Sequence, residues 1–271
     1  MKEKVKILLI ALTALCVVSF AAFAETLVVK GSTTVLPIAQ ACAEEFMDDN
    51  PQINISVQGG GSGVGIASLI DGACDIANAS RPIKDKEIDK AVTRGVSPKA
   101  YVVAMDGIAV IVNPSNSVRG LSRKDLKAIY TGKISQWSQL GGNNGKIIVI
   151  SRDSASGTFE AFGNLALNKA KVRADALQQA SNQAVATTVA KTPGAIGYVG
   201  LGYISPGVKA VTIDGVDASK ETVLSNQYPL SRPLFMYTNG KAAGAAEKFI
   251  DFVLSSEGQY LAEDNGYVGL Q

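Results

Sequence analysis

The 271-residue chain contains no histidine. Histidine is the commonest general base near neutral pH and the commonest side-chain ligand of transition metals. Its absence sets aside histidine-based hydrolysis and histidine-rich metal centres together. Cysteine is scarce, with Cys16, Cys42 and Cys74 the only thiols. A zinc site would need the last two plus carboxylates, and their spacing gives no support. No pattern calls for a metal or an organic cofactor. Past Phe23 no run is apolar and long enough to span a bilayer. There is a single tryptophan, Trp137, read as a packing residue. An excess of one charge is missing too. Removing Lys2, Glu3, Lys4 and Lys6 from 26 basic and 24 acidic residues leaves 23 of each. A neutral surface argues against nucleic acid as a partner.

That subtraction follows from the start of the chain. Met1 to Lys6 is basic, Ile7 to Phe23 is apolar, and Ala22-Phe23-Ala24 precedes Glu25. This is the pattern of a secretory signal, residues 1–24, cleaved after Ala24. A membrane anchor is the competing reading, but the apolar run is at the short limit and the small-residue exit favours cleavage. Lipid attachment at Cys16 is disfavoured, because Leu15 stands where a small residue is needed. In an exported protein Cys42 and Cys74 can pair; two separate buried thiols are an equal alternative.

What is present is alternation. Leu27–Lys30 reads as a strand, and Val35, Ile38, Ala39, Cys42 and Phe46 recur at helical spacing up to Asn50-Pro51. Ile53, Ile55 and Val57 alternate as a strand; Ile66, Leu69 and Ile70 mark a second helix; Asp75–Ala79 is a third strand. Strand, helix, strand, helix, strand implies a parallel sheet covered by helices, in one large domain or two smaller lobes. A helix is expected at 84–94. Strands are expected at 101–105 and 107–113, with Asp106 between them as a turn residue or a placed carboxylate. Ser122–Asp125 is a capping box for a helix ending near Tyr130. The strand 146–150 leads into a helix opening near Phe159. Later come a helix at 181–191, strands at 195–200 and 208–213, an extended link at 229–233 into 234–238, and helices at 242–254 and 257–265.

The strand exits share one chemistry. Ser32-Thr33-Thr34, Ser62-Gly63 and Ser156-Gly157-Thr158 each stand where a strand gives way to a helix. Arg152 precedes the last of these, and Ser80-Arg81 closes the third strand. A helix start carries unpartnered N–H groups and a partial positive charge, which suits an oxyanion. Ligands in α/β sheets gather beyond the carboxyl ends of the strands. One such turn is only a turn; several of them, with two arginines, point to a single convergent anion pocket.

These motifs, taken in order with Asp125-Leu126-Lys127-Ala128-Ile129-Tyr130-Thr131-Gly132-Lys133-Ile134-Ser135-Gln136-Trp137, resemble the phosphate-binding proteins of bacterial phosphate ABC transporters, the PstS family. The resemblance covers essentially the whole mature chain, and the run from Asp125 to Trp137 is its most specific part. It implies a type 2 periplasmic binding protein: two α/β lobes with mixed sheets, joined by two hinge segments. Lobe one would be 25–108 plus 233–271 and lobe two 109–232, with crossings near Gly107–Val110 and Arg232–Leu234. It implies phosphate donors at Thr33, Thr34, Ser62, Arg152, Ser156, Gly157 and Thr158, with Ser32, Ser80 and Arg81 completing the shell. In the enterobacterial branch a Ser-Asp pair stands where this chain has Ser80-Arg81, and that Asp accepts the phosphate proton. Asp106 is the expected replacement, with Asp153 and Glu160 behind it; Asp153 could instead hold Arg152 in place.

The expected function is a non-enzymatic receptor in the periplasm. It would be a monomer that captures inorganic phosphate and delivers it to a membrane ABC permease. The alternative within the fold is a receptor for sulfate, molybdate or tungstate, which need no carboxylate acceptor. A hydrolase with Ser156 as nucleophile lacks both a histidine base and a Ser-x-x-Lys pattern.

Overall fold

A computed structural model describes residues 25–270. The leader and Cys16 lie outside the described residues. The first part runs β1 (Glu25–Gly31), α1 (Leu36–Asp49), β2 (Ile53–Gln58), α2 (Ser62–Ile70), β3 (Ile76–Ala79) and α3 (Asp85–Thr93). Next comes the long strand β4 (Pro98–Val112). The middle holds β5 (Gly120–Leu121), α4 (Arg123–Tyr130), β6 (Ile148–Arg152), α5 (Gly157–Leu165), β7 (Leu177–Gln179), α6 (Asn182–Lys191), β8 (Ala195–Gly200), β9 (Lys209–Ala210), β10 (Thr212–Ile213) and α7 (Lys220–Leu224). The chain ends with β11 (Ser231–Asn239), α8 (Gly244–Leu254) and α9 (Ser256–Asp264).

The strands line up as β2-β1-β3-β11-β4-β8-β6-β7, with β9 also against β4. β1 is parallel to β2 and β3; β11 is antiparallel to both β3 and β4. β6 is parallel to β7 and β8, and β8 is antiparallel to β4. This is the mixed α/β architecture expected. β4 changes partner along its length: Gly107 faces Ser231 on β11, whereas Ile108 faces Gly200 on β8.

The cores divide at the same place. Val103 and Ala104 pack with α1, α8 and the end of α9, while Ile108–Val112 pack with residues from 118 to 230. From Ile108 to Val112 every side chain is buried, the continuous apolar run of a strand covered on both faces. Between the two cores sits Asp106, wholly buried. The sequence reading had broken the strand there. The strand continues because Arg232, its register partner on β11, meets the charge.

Cys42 and Cys74 are free thiols in different clusters, and burial pushes each up to about 12. Trp137 is buried, and its indole N–H donates to the Gly194 carbonyl at 2.8 Å. Among the described residues no helix is long and apolar enough to cross a membrane.

Candidate functional site

The site is assembled at the carboxyl ends of β1, β3 and β6. After β1 the chain turns at Gly31, and the Ser32 hydroxyl accepts from the amides of Thr34 (3.1 Å) and Val35 (3.4 Å). After β2, Gly61 takes φ 98°, a conformation open to glycine, and a side chain there would meet the Ala155 carbonyl at 2.7 Å. That closeness lets the Gly63 amide donate to Ala155 at 2.9 Å, across to the β6–α5 turn. Ser62 opens α2, and its hydroxyl accepts the Ser80 amide at 2.9 Å.

The β6–α5 turn supplies the opposite wall. Ser156 caps α5 by accepting the Phe159 amide at 3.1 Å. Gly157 follows because nothing larger fits; a Cβ there would press on the Ser62 and Ser80 hydroxyls. Thr158 then places its hydroxyl 2.8 Å from that of Thr34. The turn is braced from below. Tyr198 hydrogen-bonds Ser151 (2.9 Å) and the Arg152 amide (3.1 Å), and stacks on Phe162 at 4.0 Å. Tyr130, from the Asp125–Trp137 motif, donates to the Ile150 carbonyl at 3.2 Å. The most specific stretch of the sequence therefore supports the strand that carries Arg152.

Arg152 is 1% exposed. Its Nε and one terminal nitrogen donate to the carbonyls of Gln179 and Ala180, each at 3.0 Å. Its other terminal nitrogen, Nη1, is buried without a partner. Burial pulls this guanidinium below its ordinary value, against the pull of Asp153; arginine keeps its charge regardless. A buried cation with an unused donor costs free energy unless something negative meets it.

Two residues of the site were not singled out in the sequence. Asn182, first residue of α6, donates to the hydroxyls of Thr33 (3.1 Å) and Thr34 (3.0 Å). Arg232, on β11, sends Nη2 to Thr158 (3.1 Å), Thr34 (3.4 Å) and Asp106 (2.8 Å). Its Nε reaches Asp106 at 3.0 Å and its Nη1 the Ser80 carbonyl at 3.1 Å. The only local signal was a basic residue inside an extended, otherwise apolar link.

Asp106 does not face the centre as a free acceptor. One oxygen takes both Arg232 donors and the other takes the Leu201 amide at 2.9 Å, so both oxygens are engaged by donors. Burial pushes this carboxyl up, against Arg232 and the backbone amides. A protonated form would have to donate, and these partners are all donors, so the geometry is that of the carboxylate. Asp153 turns onto the Ala155 amide at 2.8 Å.

Arg81 leaves the cluster. Its guanidinium pairs with Glu87 at 2.7 Å and with Glu160 at 3.0 Å, and Lys84 also pairs with Glu160. The reason is local: Glu87 lies in the first turn of α3, directly after the Ser80–Lys84 loop, and offers both oxygens. These ion pairs stand beside a groove of about 370 Å³ lined by Ser80, Lys84, Asn164 and Arg232 among others. Ser32, Thr33, Thr34, Ser62, Ser80, Arg152, Ser156 and Thr158 are each under 7% exposed and Gly157 is buried; direct contacts join Thr34 to Thr158 and Ser62 to Ser80.

This topology and cleft are those of a periplasmic-binding-protein domain. A profile of the PBP superfamily domain matches residues 21–257. The chain is 38% identical over 248 residues to the phosphate-binding protein PstS of Bacillus subtilis, covering 90% of this chain and 80% of that one. On these grounds it belongs to the PstS family of phosphate-binding proteins. Among solved structures it resembles a phosphate ABC transporter substrate-binding protein with bound phosphate from Clostridium perfringens. The TM-score there is 0.85 at 34% identity, over 91% of this chain and all of that one. An ABC-type phosphate transport receptor from Vibrio cholerae matches at TM-score 0.74 and 32% identity, over 89% and 99%.

Proposed function

We propose that this protein captures inorganic phosphate between its two lobes and delivers it to a membrane ABC permease. The reading is supported by the meeting of the Thr34 and Thr158 hydroxyls at 2.8 Å and by the buried Arg152 with an unused N–H. Names of the relatives point the same way. The binding set is Ser32, Thr33, Thr34, Ser62, Ser80, Ser156, Gly157 and Thr158 with Arg152, joined by Asn182 and Arg232. Arg81 acts at the rim and Asp106 through Arg232. Lobe one is 25–108 plus 233–271 and lobe two 109–232; the partner change on β4 supports that division. Closing both half-sites on one anion links binding to hinge motion.

The receptor is exported to the periplasm, cut after Ala24, and works as a monomer without catalysis. Ser156 spends one hydroxyl lone pair on a helix cap, and the chain has no histidine to activate it. A second reading, a receptor for sulfate, molybdate or tungstate, is favoured by one observation: both Asp106 oxygens are engaged by Arg232 and Leu201 and offer those anions no repulsive free carboxylate. Calorimetric titration of residues 25–271 separates the two. Micromolar or tighter binding of phosphate, well ahead of the other anions, is expected; indifference to phosphate overturns the reading.

A further inference from the structure

The hydrogen bonds of the cage fix where its protons point. A hydroxyl has one proton and two lone pairs. Thr34 Oγ1 accepts from Asn182 at 3.0 Å. Arg232 Nη2 gives one N–H to Asp106, and its second lies between Thr158 at 3.1 Å and Thr34 at 3.4 Å. The two hydroxyls use one proton in their 2.8 Å contact, whichever donates, so the other proton of the pair is left for the cage. Ser32 accepts two amides, Ser62 and Ser156 one each, and Thr33 accepts from Asn182. At Ser32, Ser156 and Thr33 a fixed N–H occupies the oxygen and leaves the proton to be given away, whereas Ser62 also meets the Ser80 hydroxyl at 3.3 Å and the two share one proton between them.

We propose that Arg232, by donating to the Thr34–Thr158 pair, is the positioning residue that leaves that pair's spare proton to the cage, so that the cage takes the doubly charged form of its oxyanion and turns away forms carrying further protons. The inference rests on the phosphate reading above. A phosphate dianion carries one P–OH, which a leftover hydroxyl lone pair can accept. The monoanion carries a second, for which the cage has no free carboxylate: both oxygens of Asp106 are engaged by Arg232 and the Leu201 amide. An unmatched buried P–OH, together with one charge fewer against Arg152, disfavours that form.

The groups around Arg232 leave the titration to the ligand. They are Asp106 on β4, Arg152 on β6, Tyr203 after β8, Tyr228 before β11 and Tyr267 near the chain end. Burial raises all three tyrosines, Tyr203 to about 12. The arginines stay charged. Arg81, Lys84, Glu87 and Glu160 are ion-paired to one another at the rim.

The test is phosphate affinity of residues 25–271 by calorimetry from about pH 5.5 to about pH 8.5. Affinity is expected to rise about tenfold per pH unit below the second ionisation of phosphate, then level off. Equal affinity across the range overturns the inference alone; no binding at any pH overturns the phosphate reading and the inference with it. Arg232→Gln frees Asp106 to accept a proton. It should lose about 100-fold in affinity at the alkaline end and flatten the pH profile. Arg232→Lys keeps Asp106 paired and should keep the slope at reduced affinity. A wild-type slope in folded Arg232→Gln, or a flat profile in Arg232→Lys, contradicts the role; if Arg232→Gln does not fold, the wild-type and Arg232→Lys profiles decide.

Discussion

Arg152 at the centre of the cleft and Arg81 at its rim are both buried, 1% and 5% exposed, yet the protein treats their charges oppositely. Arg81 is met by two carboxylates, Glu87 and Glu160. Arg152 is met by two carbonyls and left with an N–H over. Carbonyl dipoles hold a guanidinium in place without cancelling its charge; carboxylates do both. Burial alone therefore says little about which cation awaits an anion. The identity of the partners decides it. Arg232 is the intermediate case, cancelled by Asp106 but still lending one N–H to the threonines.

The largest effect should come from breaking this contrast at its centre. Arg152→Met should weaken phosphate binding more than about 1000-fold, roughly 4 kcal/mol, whereas Arg81→Met should cost less than about tenfold. Calorimetry on both variants checks it; comparable losses would erase the distinction. A smaller effect is expected at the rim. Glu160→Gln removes the ties from α5 to Arg81 and Lys84 in the loop before α3. Because Glu160 is 28% exposed, the ties are partly screened. Stopped-flow release of phosphate should speed up by about two- to fivefold, and its salt dependence should shrink.

The smallest effect concerns Glu87. Burial works against its charge, but the Arg81 hydrogen bonds and the Lys84 amide bring its carboxyl below the ordinary value. A depressed carboxyl contributes stability that is whole above its unfolded value and is lost as pH falls through its folded one. At neutral pH Glu87→Gln should melt about 2–4 °C below wild type. That gap should close as the pH drops below the ordinary carboxylate range.

The turns were legible in the sequence because each is local. Ser32, Ser62 and Ser156 cap or line the helix that follows them, and a strand–turn–helix pattern within a dozen residues announces them. The capping box at Ser122 was legible for the same reason, and its Asp125 carboxylate does take the Ser122 amide at 2.9 Å. What escaped were partners chosen across the chain. Asp106 interrupts an apolar run and looked like a turn; the arginine that keeps it in the strand is 126 residues away. Arg232 looked like part of a linker, although it stands in β11 opposite Asp106 with its guanidinium on Thr34 and Thr158. Asn182 looked like any helix start, since nothing near it signals the threonines 148 and 149 residues earlier. Arg81 sat at the right strand exit, but its direction was set by Glu87 and Glu160.

A crystal structure of residues 25–271 grown with phosphate tests the central claim most directly. The account expects one phosphate enclosed between Thr33, Ser62 and Ser156, with the unused Nη1 of Arg152 about 2.8 Å from one of its oxygens and Arg81 still on Glu87. An anion bound instead on Arg81, with Arg152 Nη1 still unmet, would contradict it.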